Sequence, residues 1–256
     1  MLIKLIPILS ILILSPVTLA EDYIVGQLVP EKNVIVRSEV SGIINSYNYD
    51  NGDNIDQGEE LLLLSAKDYA LNVKLAKYEV DVSKSELEAQ EKQLQRYQSL
   101  FKGKGLSASD LDNQIRITNI GRAQFNVSKT QYEIAKRTFD KSTPNSPFSG
   151  VIINRSVELG QFISVGDPLY TIADISKLKV RFYLLEVDFT KVTKGDEVKV
   201  IIPSIEKSFI GKVTLLSPAF MENEPGFLVE VTLANSNEQL KPGMESHVYF
   251  NEEDVQ

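Results

Sequence analysis

Cysteine is absent from the 256 residues, and histidine occurs once, as His247. Without cysteine there is no disulfide, no thiol nucleophile and no zinc–thiolate site. With one histidine, in the alternating stretch ESHVYF, there is no Ser-His or Cys-His pair to carry nucleophilic catalysis. His247 reads as a strand residue with no catalytic role. The lack of His, Cys and Met clusters argues against metal delivery, and no cofactor is expected. A basic excess is missing too. The net charge is −8, so there is no electrostatic footprint for nucleic acid or anionic lipid. One segment stands out, MLIKLIPILSILILSPVTLA, whose apolar run after Lys4 is shorter than the roughly 20 residues that cross a bilayer. Lys4, the apolar run and Thr18-Leu19-Ala20 before Glu21-Asp22 predict a secretory leader, residues 1–20, cleaved after Ala20. An uncleaved anchor is the alternative. The rest is expected to be soluble and outside the cytoplasm.

Hydrophobic content of 43% and charged content of 24% are those of a globular chain. Its organising feature is a repeat. SGIINSYNYDNGDNIDQGEELLLL begins at Ser41, and SGVIINRSVELGQFISVGDPLYTI begins at Ser149. Gly42, Gly52 and Gly58 recur as Gly150, Gly160 and Gly166, each 108 residues on. These glycines punctuate short apolar runs and predict tight turns, where positive φ carries no Cβ clash. One copy of about 30 residues cannot bury a core; two facing copies can share one.

Between the copies, from about Lys67 to Lys141, there is no proline, and Glu, Lys, Gln, Ala and Leu predict helix. Leu111, Thr118, Phe125, Tyr132 and Phe139 fall seven apart, with Gln114, Gly121, Ser128 and Ala135 as the companion row. In the first half the rows are Leu71, Tyr78 and Ser85 with Leu75, Val82 and Ala89, with Lys92 and Arg96 also falling on them. Heptad rows predict two helices packed along a coiled-coil seam. The break is FKGKGLSASDLD, where Gly103 and Gly105 end the first helix and Ser107 or Ser109 caps the second. After Ile175, LKVRFYL, EVKVII and FLVEVTLAN alternate between turn signals, with Val229, Val231 and Leu233 sharing one face. This predicts a small antiparallel β-barrel. The fold class is thus mixed and mainly β: a split β-sandwich shared by the two copies, an inserted antiparallel α-hairpin, and a barrel; the resemblance given next makes the sandwich lipoyl-like. The expected segments are a strand region 21–36, first half 37–66, hairpin 67–142, second half 143–175, barrel 176–250 and tail 251–256.

This arrangement resembles the periplasmic adaptor proteins, also called membrane fusion proteins, of the HlyD-like family. The likeness rests on the two lipoyl-like halves, on LKPGM as a late barrel turn, and on the hairpin tip RYQSLFKGKGLS. Members that dock to an outer-membrane channel carry Arg-x3-Leu-x6-Ser at the tip, here Arg96, Leu100 and Ser107. The resemblance implies a periplasmic adaptor between an inner-membrane transporter of the resistance-nodulation-division (RND) type and an outer-membrane TolC-type channel. It also implies a homo-oligomeric ring, hexameric in the family. The expected departure is the membrane-proximal domain that many members build after the barrel; only NEEDVQ follows Phe250 here. Alternatives are an adaptor for an ABC-type or type I secretion exporter, a lipoyl or biotin carrier loaded on Lys67, and an enzyme using the repeat-related carboxylates Asp50 and Glu158. Lys67 is flanked by Ala66 and Asp68 instead of the carrier's methionines, and turn carboxylates are ordinarily solvated.

Overall fold

The computed structural model describes residues 23–220 and 224–250. The expected leader 1–20 and tail 251–256 lie outside them. The chain divides into two units, Pro30–Ser176, and Lys177–Gln256 together with Met1–Val29. The boundary falls within two long strands, β1 (Ile24–Arg37) and β7 (Pro168–Leu184).

In the unit Pro30–Ser176 the repeat forms β2 (Gly42–Tyr47), β3 (Asn54–Ile55), β4 (Leu62–Leu64), β5 (Gly150–Arg155), β6 (Phe162–Ile163) and the start of β7. Strand β2 pairs with β4 and β6, and β5 pairs with β3 and β7. The two copies exchange equivalent hydrogen bonds. Gly52 N–H donates to the Ile152 carbonyl at 2.8 Å, and Gly160 N–H to the Ile44 carbonyl at 2.9 Å. Gly58 donates to Ser146 at 2.9 Å, and Gly166 to Ser38 at 2.8 Å. These four bonds form two equivalent pairs, each bond of one copy matched in the other. The core repeats as well: Ile44 and Ile152, Ile55 and Ile163, Leu61 and Leu169, and Leu64 and Ile172 are all buried. Each such side chain contributes about 1.5–3 kcal/mol by leaving water, and neither copy can bury its own set. One pair departs from the pattern. Leu62 has Tyr170 as its counterpart, and the buried hydroxyl donates to the Tyr49 carbonyl at 3.1 Å. Burial pushes the Tyr170 phenol up to about 12.

Gly52, Gly58, Gly160 and Gly166 have φ of 94°, 86°, 77° and 94°, a region that side chains rarely enter. Gly42 and Gly150 were expected at turns and are not there: they open strands β2 and β5. A Cβ on Gly150 would lie 2.5 Å from the Ala173 carbonyl oxygen, so glycine serves close strand approach at that site. At Gly42 the nearest contact would be an ordinary 3.5 Å.

The insertion forms α1 (Lys67–Lys102) and α2 (Ala108–Asp140). At about 1.5 Å per residue each is roughly 50 Å long. The base of the hairpin is tied to the sandwich by Leu64 N–H to the Ser142 carbonyl at 2.9 Å and by the Tyr69 hydroxyl to the Ser41 carbonyl at 2.9 Å. The seam of α2 follows the expected rows, with Gln114, Thr118 and Ser128 buried. The seam of α1 does not. Ala76, Ser83 and Leu87 are buried, with Val73, Val80 and Gln90 half-buried on the same face. The expected row of Leu71, Leu75, Tyr78 and Val82 is exposed. The physical reason is size. Two helices come close where one offers Gly121 and Ser128 and the other Ala76 and Ser83, while the larger side chains are carried outward.

In the second unit, β8 (Glu197–Ile202), β9 (Lys207–Leu216), β10 (Phe227–Ala234) and β11 (Glu245–Tyr249) join the ends of β1 and β7 in the order β1-β11-β8-β9-β10-β7. Pairing of β1 with β7 closes the six strands into a barrel. Val180, Phe182, Val200, Val229, Val231 and Leu233 fill it. Outside, Glu230 is buried under Lys179 and Arg181, with ion pairs of 2.9 and 2.7 Å. His247 lies in β11, stacked on Tyr23 at 4.0 Å between ring centroids and paired with Glu245 at 3.0 Å.

Candidate functional site

The candidate site is the turn between α1 and α2. Helix α1 stops because its last carbonyls are taken by the turn: Gly103 N–H donates to Ser99, Lys104 to Phe101 and Gly105 to Leu100, at 3.2, 3.0 and 2.9 Å. The residue in the left-handed region is neither glycine. It is Lys104, between them, with φ of 60°. A side chain there costs about 1–2 kcal/mol relative to glycine. Helix α2 starts at Ser107, not Ser109. The Ser107 hydroxyl accepts from the Asp110 N–H at 3.1 Å and donates to the Asp110 carboxylate at 2.6 Å. This satisfies one of the donors that a helix start leaves open, and Asp110 in the first turn favours the positive end of the helix dipole.

Arg96 and Leu100 are four residues apart on α1, so they share a face. Arg96 is exposed, and its Nε donates to Gln93 Oε1 at 3.1 Å; Nη2 turns to the same acceptor. Leu100 is 51% exposed and has no place in the seam. Phe101, 41% exposed beside it, was not singled out from sequence. An apolar pair followed at once by Gly-Lys-Gly was the available signal. The three motif residues therefore stand at one end of the hairpin. Two of them have side chains free of core packing, and the third is engaged in a cap.

The other candidates lie elsewhere. Lys67 is the first residue of α1, at the hairpin's base. Asp50 and Glu158 meet at one arginine: Arg155 Nε donates to Asp50 at 2.9 Å, and Nη1 stands 3.2 Å from Glu158. Burial opposes the charge of Arg155, but the two carboxylates outweigh it and raise its pKa. The Asp50–Arg155 pair thus fastens the two halves of the repeat together, while Glu158 holds the arginine within its own copy.

The CzcB-like barrel-sandwich hybrid domain matches residues 32–174 of this chain. That stretch holds both copies of the repeat and the whole hairpin. The chain belongs to this family. Among curated relatives of this CzcB-like chain, the multidrug resistance protein MdtA of Xenorhabdus bovienii is 28% identical over 176 residues, 67% of this chain and 42% of the relative. MdtA of Proteus mirabilis is 25% identical over 196 residues, 76% of this chain and 48% of the relative. The nodulation protein NolF of Rhizobium meliloti is 25% identical over 227 residues, 88% and 61%. The chain spans about half the length of the curated relatives it matches. Among solved structures, a MacA-MexA chimera carrying the α-hairpin domain of Pseudomonas aeruginosa MexA superposes with a TM-score of 0.71. It is 21% identical, with 89% of this chain and 79% of that one covered. The membrane fusion protein Spr0693 of Streptococcus pneumoniae gives 0.70 at 17% identity, covering 89% and 97%. These likenesses carry the fold: barrel-sandwich, hairpin and barrel in one chain.

Proposed function

We propose that this chain is the periplasmic adaptor of a tripartite efflux pump. It joins an inner-membrane transporter of the RND type to an outer-membrane channel of the TolC type, and exports small molecules with them. The observation that carries the reading is the hairpin itself. About 50 Å of helix pair rises from a closed sandwich and ends in exposed Arg96 and Leu100 with no core role. A stiff arm with an unburied tip is built to touch something at a distance. Kinship to chains named multidrug resistance protein supports export as the task. The planar fork of Arg96 suits a carbonyl or carboxylate on the channel, Leu100 supplies an apolar knob, and Ser107 a small hydroxyl beside the turn. The transporter contact falls to the barrel unit in this reading.

The test is complementation of an efflux-deficient strain that carries the cognate transporter and channel. The intact chain is expected to restore resistance. The double variant Arg96→Asp, Leu100→Asp is expected to be exported and folded, to lose co-purification with the channel, and to restore none. Full resistance from a well-expressed double variant would remove the docking role of the tip.

A further inference from the structure

The strand registers sort the connections of the barrel between its two ends. Ile24 pairs with Val248, Tyr249 with Lys199, Glu197 with Lys212, Leu216 with Val229, and Phe227 with Leu184. One end therefore gathers the entry to β1, the exit from β11, and the connections β7–β8 and β9–β10. The opposite end holds the connections PSIE (203–206) and NSNEQLKPGM (235–244). Those are mostly polar, and Leu240 among them is buried.

The first end is the apolar one. Val187, in the β7–β8 connection, is 77% exposed, and Leu185 near it is 59% exposed. Phe220, in the β9–β10 connection, is 51% exposed. Phe227 stands between Phe189 and Phe220, with ring centroids 4.2 and 4.3 Å away. That stack ties the two connections together, so their exposed side chains belong to one surface. The charged groups around it engage one another. Asp188 pairs with Lys191 at 2.7 Å, and the Asp196 carboxylate accepts from the Thr193 N–H and hydroxyl, each at 2.7 Å. An apolar group of this kind, rimmed by polar residues, is the mark of a contact surface.

Position and charge say what covers it. In sequence only Glu21 and Asp22 separate the apolar leader from Tyr23, which precedes β1 at this same end. A leader that enters the membrane during export therefore delivers this end, and not the other, to the bilayer surface. The β7–β8 connection and its flanks, 185–197, carry four carboxylates and two lysines. Attraction to anionic headgroups is thus not the driving force, and burial of apolar area is. Tyr23, 39% exposed, adds an amphipathic ring of the type that sits at headgroup level.

We infer that this end of the barrel seats in the interface of a bilayer of neutral phospholipid, with Leu185, Val187 and Phe220 entering the acyl boundary. The leader brings the end there, and the two connections hold it after cleavage behind Ala20. The contact goes beyond the adaptor reading and uses none of the tip residues.

The exported chain, beginning at Glu21, is sedimented with vesicles of phosphatidylcholine and phosphatidylethanolamine, without transporter or channel. Because the chain has no cysteine, Val187→Cys carries one environment-sensitive fluorophore. Ile210→Cys is its control, since Ile210 is 67% exposed but lies within β9. The expected result is binding that salt does not weaken, with a blue shift of the label at 187 and none at 210. The double variant Val187→Asp, Phe220→Asp should lower vesicle affinity about tenfold or more, with circular dichroism and melting unchanged. Ile210→Asp should not lower it. Absence of binding would assign the surface to a protein and overturn the inference. Binding that requires added phosphatidylglycerol and vanishes in salt would overturn it too, as would a label at 187 that stays in water. The docking-tip variant Arg96→Asp, Leu100→Asp should bind vesicles fully, so failure here is distinct from failure of the efflux test.

Discussion

The guanidinium of Arg155 lies over the ring of Tyr47, 4.0 Å from its centroid. Tyr47 ends β2 in the first copy of the repeat, and Arg155 ends β5 in the second. The same guanidinium reaches Asp50 and Glu158, and Nη1 also donates to the Val157 carbonyl. One side chain thus holds both halves of the sandwich from residues more than 100 positions apart in sequence.

Arg155→Ala removes a cation–π contact worth about 0.5–2 kcal/mol together with charge-assisted hydrogen bonds worth about 1.5–3 kcal/mol each at most, and less here because the carboxylate partners are exposed. The expected loss in urea unfolding is about 2–3 kcal/mol. Asp50→Asn and Glu158→Gln, each at an exposed partner, should cost under about 1 kcal/mol. A loss as small for Arg155→Ala as for Asp50→Asn would show that the arginine is not the clamp.

Tyr170 gives an alkaline signature. Its phenol is neutral when protonated, and its folded pKa of about 12 lies above the unfolded value of 10. Its contribution is therefore complete below pH 10 and is lost as pH rises from 10 toward 12. Between pH 9 and 11 the loss should be about 1.4 kcal/mol more in the native chain than in Tyr170→Phe. At pH 7 the phenylalanine variant should be weaker by about 1 kcal/mol, through the hydrogen bond to Tyr49. Parallel pH profiles for the two chains would contradict the buried, protonated phenol.

Three glycines of the repeat should rank by mechanism. Gly160→Ala places a side chain at φ of 77° and should cost about 1–2 kcal/mol. Gly150→Ala drives a Cβ to 2.5 Å from a strand carbonyl, which must move, and should cost at least about 2 kcal/mol. Gly42→Ala meets only ordinary contacts and should stay within about 1 kcal/mol. Chemical denaturation midpoints decide the order, and a Gly42→Ala as damaging as Gly150→Ala would refute it.

These cases mark how far the sequence could be read. The repeat was legible because the glycines at 52, 58, 160 and 166 and the leucines at 61 and 169 stand at fixed spacing, and each answers a local demand of backbone or core. The hairpin was legible from composition and from its break at Gly103–Gly105. The phase of α1 was not. Periodicity favours the row with the largest apolar side chains, and Leu71, Leu75, Tyr78 and Val82 outrank Ala76 and Ser83 on that scale. Only the opposing Gly121 and Ser128, distant in sequence, decide that small residues belong in the seam. Gly150 was misplaced for a similar reason, since its constraint comes from Ala173 on another strand. Arg155 was not singled out at all; nothing local sets it apart, and its contacts to Tyr47 and Asp50 exist only when the copies have folded together.

The tip can be divided by what each residue does for the fold. Ser107 caps α2, so Ser107→Ala should lower stability by about 1 kcal/mol, whatever it does to export. Ser107→Asp keeps an acceptor at the cap and adds charge favourable to the helix start, so it should retain stability. Lys104→Gly should raise stability by about 1 kcal/mol by relieving the left-handed backbone. Arg96 and Leu100 are exposed and should change stability by less than about 0.5 kcal/mol on replacement by alanine. If the tip docks, losing a central contact costs about 2 kcal/mol or more of binding, which is a channel affinity lower by roughly 30-fold. Melting curves and channel affinity measured on the same four variants then separate the two roles. Arg96→Ala and Leu100→Ala should move affinity alone, Lys104→Gly stability alone, and Ser107→Ala should move stability at the least. Affinity that tracks stability across all four would mean that the tip acts only by holding the hairpin closed.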